Sequence, residues 1–267
     1  MTRAPSSLAL CGGVIAAGHG TRLRADGYRV SKPMTPVSRR PLIEHALDRF
    51  RAVGVRKATV IINEDSDDCR RWLIDHADGL DLDVIVRTTP SSYASFELVA
   101  ARLTGAPALI TTVDAIMAID AFQHFVDQAA GFPDDAVVLG LTSHVDDDNP
   151  LWATLDEDGR IRRLGGDQGS HVTAGLYWLP AHRVAPPPTG FERLRDYLKW
   201  LVDQGRPLYG VVLPLVFDID RAHDVEAAER DGFRRSHESI PKQGSMDEFA
   251  SQGPHPEERG EASRLEG

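Results

Sequence analysis

GGVIAAGHGTRLRADGYRVSKPMTPVSRRPLI, residues 12–43, decides how the rest of the chain is read. An apolar, strand-like run ends in the glycine-bracketed turn Gly18-His19-Gly20-Thr21-Arg22. Ten residues after Arg22 come Lys32, Pro33 and Met34, and a helix opens at Pro41. Glycine lacks a Cβ and tolerates left-handed dihedrals, so such a turn lets backbone N–H groups approach phosphate oxygens closely. Arg22, a planar fork, and Lys32, a compact point charge, can neutralise those oxygens. Two familiar phosphate loops are excluded. Leu23 stands where a dinucleotide fingerprint needs its third glycine, and no Gly-Lys-Ser/Thr follows for a P-loop.

Outward from this stretch the chain alternates strand and helix. Residues 8–17 read as a buried strand, and 41–54 as an amphipathic helix with Leu42, Ile43, Ala46, Leu47, Phe50 and Val53 on one face. Strands are expected at 58–62, 83–86, 108–112 and 136–141. Helices run through Trp72 and Ile74, over 95–103 and over 122–130. This order predicts a three-layer α/β sandwich on a mostly parallel, Rossmann-like mixed sheet. After Asn149-Pro150 the rhythm changes to a hairpin, 151–155 and 160–164 around Asp156-Glu157-Asp158-Gly159. A strand at 172–179, a helix at 191–202, strands at 208–213 and 216–219 and a helix at 221–230 complete the reading. From about Ser239 apolar residues nearly vanish, so 1–238 reads as one domain and 239–267 as a disordered tail.

Charge narrows the partners. With 30 Lys and Arg against 40 Asp and Glu the net charge is −10, of which residues 238–267 carry −4. An acidic body is a poor match for nucleic acid or an anionic membrane. Cys11 and Cys69 are far apart and lack metal-ligand spacing, which reads as two reduced thiols. Arg3 ahead of the apolar run 8–17 resembles a leader, but that run is short and its second half feeds the glycine turn, so a cytoplasmic protein is expected.

The 12–43 stretch resembles the N-terminal signature of the sugar nucleotidyltransferases, the nucleoside-diphosphate-sugar pyrophosphorylases. That signature runs G-x-G-T-R, a loop, K-P-[ML]-x-P-V, then P-L-I. The resemblance implies the nucleotide-diphospho-sugar transferase fold, with 8–142 as the nucleotide-binding half and 143–238 as the acceptor-binding half. It also implies that the backbone of Ala16, Ala17 and Gly18 faces the base, that Gly20, Thr21 and Arg22 hold the β- and γ-phosphates, and that Lys32 neutralises the α-phosphate or the acceptor phosphate. Ser95, in Ser91-Ser92-Tyr93-Ala94-Ser95, falls where relatives contact base or acceptor; a helix N-cap explains it equally well.

Nucleotide phosphates call for a divalent cation, and Mg2+ wants one or two carboxylates beside water and phosphate oxygens. Asp114 follows Leu109–Val113 at the carboxyl end of a strand, where open α/β sheets place ligands. The resembled family has Gly-Asp there; this chain has Val113-Asp114, and an Asp capping the next turn is the competing reading. Asp218, in Val216-Phe217-Asp218-Ile219-Asp220, resembles a second family segment, W-x-D-[IV], whose carboxylate completes the metal site. Asp218 and Asp220 are expected to face apart and not to share one ion, so Asp218 is taken as ligand, Asp220 as its alternative, and Asp224 as a helix N-terminal charge. Asp146-Asp147-Asp148 reads as a solvated loop, and so does His19.

On the acceptor side, His171–Tyr177 resembles the family's N-A-G-[IL]-Y strand, which assigns Thr173 and Gly175 to the acceptor. Thr173 replaces the usual Asn, and the family's E-K-P element is missing from the region of Arg163-Leu164-Gly165-Gly166. The expected function is Mg2+-dependent transfer of NMP from an NTP to a phosphorylated acceptor, a sugar 1-phosphate first, with release of pyrophosphate. A non-sugar acceptor (phosphocholine-like or a pterin cofactor) and a non-catalytic nucleotide-binding regulator are the alternatives. Oligomeric state is not legible in the sequence.

Overall fold

Val14, Ile15 and Ala16 carry the apolar run into the centre of the sheet. There β1 (Cys11–Ala16) lies between two parallel neighbours, β4 (Lys57–Ile62) and β6 (Ala108–Thr112). A strand covered on both faces has no use for polar alternation, which explains the continuous hydrophobicity of β1 and β4. The computed structural model describes residues 9–145, 149–181 and 190–232. The acidic run 146–148 and the tail 239–267 lie outside the described residues.

Between β1 and β4 come a short helix, α1 (Thr21–Ala25), one 3₁₀ turn (Lys32–Met34), a hairpin of β2 (Pro36–Val37) and β3 (Arg40–Pro41), and α2 (Leu42–Ala52). Then follow α3 (Asp67–Asp75), β5 (Asp81–Val86), α4 (Ser92–Arg102), β6, β7 (Ala115–Ile116), α5 (Ile119–Ala129) and β8 (Val137–Thr142). The second half supplies β9 (Trp152–Leu155), β10 (Ile161–Leu164), β11 (His171–Leu179), α6 (Leu194–Asp203), β12 (Leu208–Leu213), β13 (Phe217–Asp218) and α7 (Ala222–Ala227).

The sheet runs β5-β4-β1-β6-β11-β8-β12. Every neighbour pair is parallel except those of β11, which is antiparallel to both β6 and β8. The β9–β10 hairpin pairs with His171 and Val172 at the start of β11. All the parallel strands therefore end on one edge of the sheet. Two apolar clusters cover its faces, as a three-layer sandwich requires. Phe50 of α2, Phe122 and Phe125 of α5, Leu73 of α3 and Val225 of α7 pack on one side; Phe96 and Val99 of α4 with Leu198 and Leu201 of α6 pack on the other.

Several boundaries differ from the sequence reading. Helix α4 begins at Ser92, because Ser91, not Ser95, is the N-cap: its hydroxyl accepts from Ala94 N at 3.1 Å. Helix α1 carries no apolar periodicity beyond Leu23 and went unforeseen. The expected strand 216–219 shrinks to Phe217–Asp218, and the helix from 221 ends at Ala227 before a single π-type turn, Ala228–Gly232.

Candidate active site

The glycine turn leaves β1 at the carboxyl edge of the sheet, and Gly20 opens α1 with φ 61° and ψ 35°. That left-handed conformation suits glycine, and a Cβ there would stand 2.8 Å from Cβ of Lys32. The two ends of the signature are thus packed against each other. The far end is fixed by Ser31 N, which donates to Asp68 Oδ2 at 2.8 Å at the start of α3. Asn63, just past β4, holds the near end by donating Nδ2 to the carbonyls of Gly18 at 3.2 Å and Ala17 at 3.5 Å. The sequence reading passed over Asn63, although it ends an apolar strand on the same edge that singled out Asp114.

Lys32, 8% exposed, points from this frame at carboxylates brought from distant chain segments. Its Nζ donates to Asp114 Oδ2 at 2.6 Å and also to Asp220 Oδ1. Arg22 Nη1 lies 3.1 Å from the other oxygen of Asp220. Asp114 occupies the turn between β6 and β7, and β7 pairs with β13 so that Ala115 faces Asp218. Ile219 N donates to the Asp114 carbonyl at 3.1 Å. Carboxylate oxygens of Asp114, Asp218 and Asp220 all lie within 4.8 Å of one another.

Asp220 therefore corrects the expectation that it turns away from Asp218. Positions two apart on a strand share a face, so alternation itself sets Asp220 on the side of Asp218, the last residue of β13. Beyond it, Asp224 Oδ2 accepts from Asp220 N at 2.9 Å and Arg221 N at 2.7 Å, turning the chain into α7 directly after the cluster. Asp224 is the helix N-terminal residue that the sequence suggested.

Charge in the site is self-consistent. Burial alone would lower the Lys32 pKa, but Asp114, Asp220 and Asp218 outweigh it and hold the ammonium above its ordinary value. For Asp114, burial pushes upward, yet the charge and hydrogen bond of Lys32 leave the carboxyl below its ordinary value. Burial, then Asp114 and Asp218, raise the Tyr177 phenol, so its hydroxyl stays protonated as a donor.

A cavity of about 420 Å³ opens beside the carboxylates. Its β11 wall carries Thr173, Gly175 and Tyr177; Ser92, His144 and Arg195 face them, and Leu151, Val172, Leu198 and Val216 supply apolar surface. Gly175 has φ 63°, and a Cβ there would meet Thr112 Oγ1 at 2.4 Å, so the β11 backbone can lie against the end of β6 only as glycine. Ala16 and Ala17 are buried beneath the turn, while Gly18, Thr21 and Arg22 are exposed on it. Ser95 is set apart from the cavity. It is buried in the first turn of α4, with its hydroxyl 2.6 Å from that of Thr89, and Ser92 takes the cavity-facing position. Arg195 also went unnoticed, because an arginine on an amphipathic helix reads as solvated surface.

Sheet order, glycine turn and carboxylate cluster together define the fold of the nucleotide-diphospho-sugar transferases. The MobA-like NTP transferase domain matches over residues 12–187, and the chain belongs to that nucleotidyltransferase family. A glucose-1-phosphate thymidylyltransferase of Streptomyces griseus is 24% identical over 212 residues, 75% of this chain and 59% of that enzyme's length. Among solved structures, the inositol-1-phosphate CTP transferase from T. maritima superposes with TM-score 0.68 at 18% identity, over 84% of this chain and 98% of that one. A Bacillus anthracis protein described as a glucose-1-phosphate thymidylyltransferase, solved with sucrose, gives TM-score 0.72 at 17% identity, over 83% and 94%. At these identities the two structures establish a shared fold.

Proposed function

We propose that this chain transfers a nucleoside monophosphate from an NTP to a phosphorylated acceptor, a sugar 1-phosphate first, releasing pyrophosphate. The observation that carries the reading is the meeting of Lys32, Arg22 and three carboxylates at the mouth of a ligand-sized cavity on the carboxyl edge of the sheet. An acceptor phosphate oxygen forms the new bond to the α-phosphorus while the bond from that phosphorus to the bridging oxygen breaks, and pyrophosphate leaves with the electron pair. The attacking phosphate is already ionised near neutral pH, so positioning and charge neutralisation replace a general base. Lys32 and Arg22 supply that neutralisation, exchanging carboxylate partners for phosphate oxygens.

A hard, all-oxygen cluster within 4.8 Å, already wrapped around an ammonium, fits a divalent cation such as Mg2+. Asp114 and Asp218, with Asp220, would hold it, and the cation would withdraw charge from the triphosphate. Gly175, Thr173 and the Tyr177 hydroxyl line the acceptor's place. One observation favours the second reading, a non-sugar acceptor: Leu151, Val172, Leu198 and Val216 offer little to sugar hydroxyls. Pyrophosphate release measured across the common NTPs and a panel of sugar 1-phosphates, phosphocholine and other phosphorylated alcohols tests both. Release with a sugar 1-phosphate supports the first, release only with a non-sugar acceptor the second, and none with any pair points to the non-catalytic regulator.

A further inference from the structure

Helix α2 buries an arginine that the chemistry above does not use. Arg49 is 2% exposed, whereas Glu44, Asp48 and Arg51 on the same helix stay partly solvated. Its Nη2 donates to the carbonyl of Ala115 at 2.8 Å, and its guanidinium carbon lies 5.9 Å from the Phe122 ring centroid. Nε finds no hydrogen-bond acceptor among the described residues. Asp48, the nearest source of negative charge, gives its oxygens to Arg40 and Arg51. Burial pulls the Arg49 pKa down to about 10, which still leaves it cationic at neutral pH.

A buried cation without a carboxylate partner is a costly way to fill core space, and an apolar side chain of similar volume avoids the desolvation penalty. The one strong bond that Arg49 makes must then be its purpose. Ala115 follows Asp114 directly, pairs with Asp218 across β7–β13, and lies where a Cβ on Gly175 would come within 3.1 Å. Asp114 itself sits past the end of β6 in a two-residue turn, where the last bond to the main sheet is Val113 N to the Ile15 carbonyl at 3.0 Å. We propose that Arg49 is a positioning residue of the carboxylate cluster: it grips the Ala115 carbonyl from the core and so fixes the spacing of Asp114 and Asp218. This rests on the reading that those carboxylates hold a divalent cation.

The test uses Arg49→Met, shorter but close in volume and apolar, and Arg49→Lys, which restores a cationic donor group. Mn2+ binding is titrated calorimetrically without nucleotide, beside the melting temperature and the Mg2+ dependence of turnover. The melting temperature of Arg49→Met should be unchanged or higher while its Mn2+ affinity falls about 10- to 100-fold, as for residues that orient metal ligands. The Mg2+ requirement should rise in parallel, and Arg49→Lys should fall between. Wild-type Mn2+ affinity in either folded variant overturns the assignment. A wild-type protein that binds no Mn2+, and does not differ from Asp114→Asn, overturns the metal reading and this inference with it.

Discussion

Replacing Lys32 by methionine keeps the length of the side chain and removes its charge from among three carboxylates. Breaking a fully buried ion pair by deleting one partner costs about 3–5 kcal/mol. Here Asp114 is 21% and Asp220 38% exposed, so water recovers part of that loss and about 2 kcal/mol is expected. For a domain of this size that lowers Tm by roughly 4–8 °C. Divalent cation should restore it, since a ligand of the folded state adds about 2.7 kcal/mol at a hundred times its Kd. Turnover should fall at least about a hundredfold with or without that rescue, because the cation proposed to neutralise the phosphates is gone.

The pH dependence gives this substitution its sharpest signature. In the wild type the Asp114 carboxyl lies below its ordinary 3.8, so its stabilisation is present above that value and lost as pH falls through the lower folded value. The Lys32 contribution is complete below 10.5 and lost only as pH rises through a still higher value. The pair is therefore pH-independent through neutrality. Without Lys32, burial is left as the largest influence and pushes the Asp114 carboxyl upward, so proton uptake then favours the folded state. The methionine variant should gain stability as pH falls from neutrality toward 3.8 in metal-free buffer, where the wild type stays level. Thermal melts across that range, with and without Mg2+, measure it. A variant as stable as the wild type at every pH, with near-normal turnover, would refute the reasoning.

Asp220→Asn should raise the Mg2+ requirement and depress turnover as Asp114→Asn and Asp218→Asn do, with strongly non-additive pairs, because all three serve one cluster; additive effects in double-mutant kinetics would argue for separate sites. Gly20→Ala places a Cβ 2.8 Å from Cβ of Lys32 at φ 61°, so it should destabilise by about 1–3 kcal/mol and reduce turnover further than Tm alone explains; a silent variant in both assays would show the turn to be slack. Cys69 is fully buried, and burial pushes its thiol up to about 12, so a disulfide reagent should modify Cys11 in the native protein and Cys69 only on unfolding; equal rates would contradict the packing under α3.

Local rules made the nucleotide half legible. The 12–43 stretch combines a buried strand, a glycine turn and fixed cations, each set by neighbours close in sequence, and Asp114 was found because a strand's carboxyl end is itself a local signal. The misreadings share another cause. Asp220 is the exception: it was turned outward although positions two apart on a strand share a face, and its carboxylate does lie with that of Asp218. Ser95 lost the cap to Ser91 because which of two nearby serines first meets an unpaired N–H depends on where α4 docks. Lys32, read only as a cation facing phosphate, is also buried, because carboxylates 82 and 188 positions away fold around it. Arg49 was hidden most completely: on α2 it interrupts an apolar face, and pattern reading assigns such a charge to solvent. The carbonyl it grips belongs to Ala115, 66 residues further on and next to Asp114. Long-range electrostatics leaves no period in a sequence. The place of Arg49 beside the carboxylate cluster is therefore one that only the fold discloses.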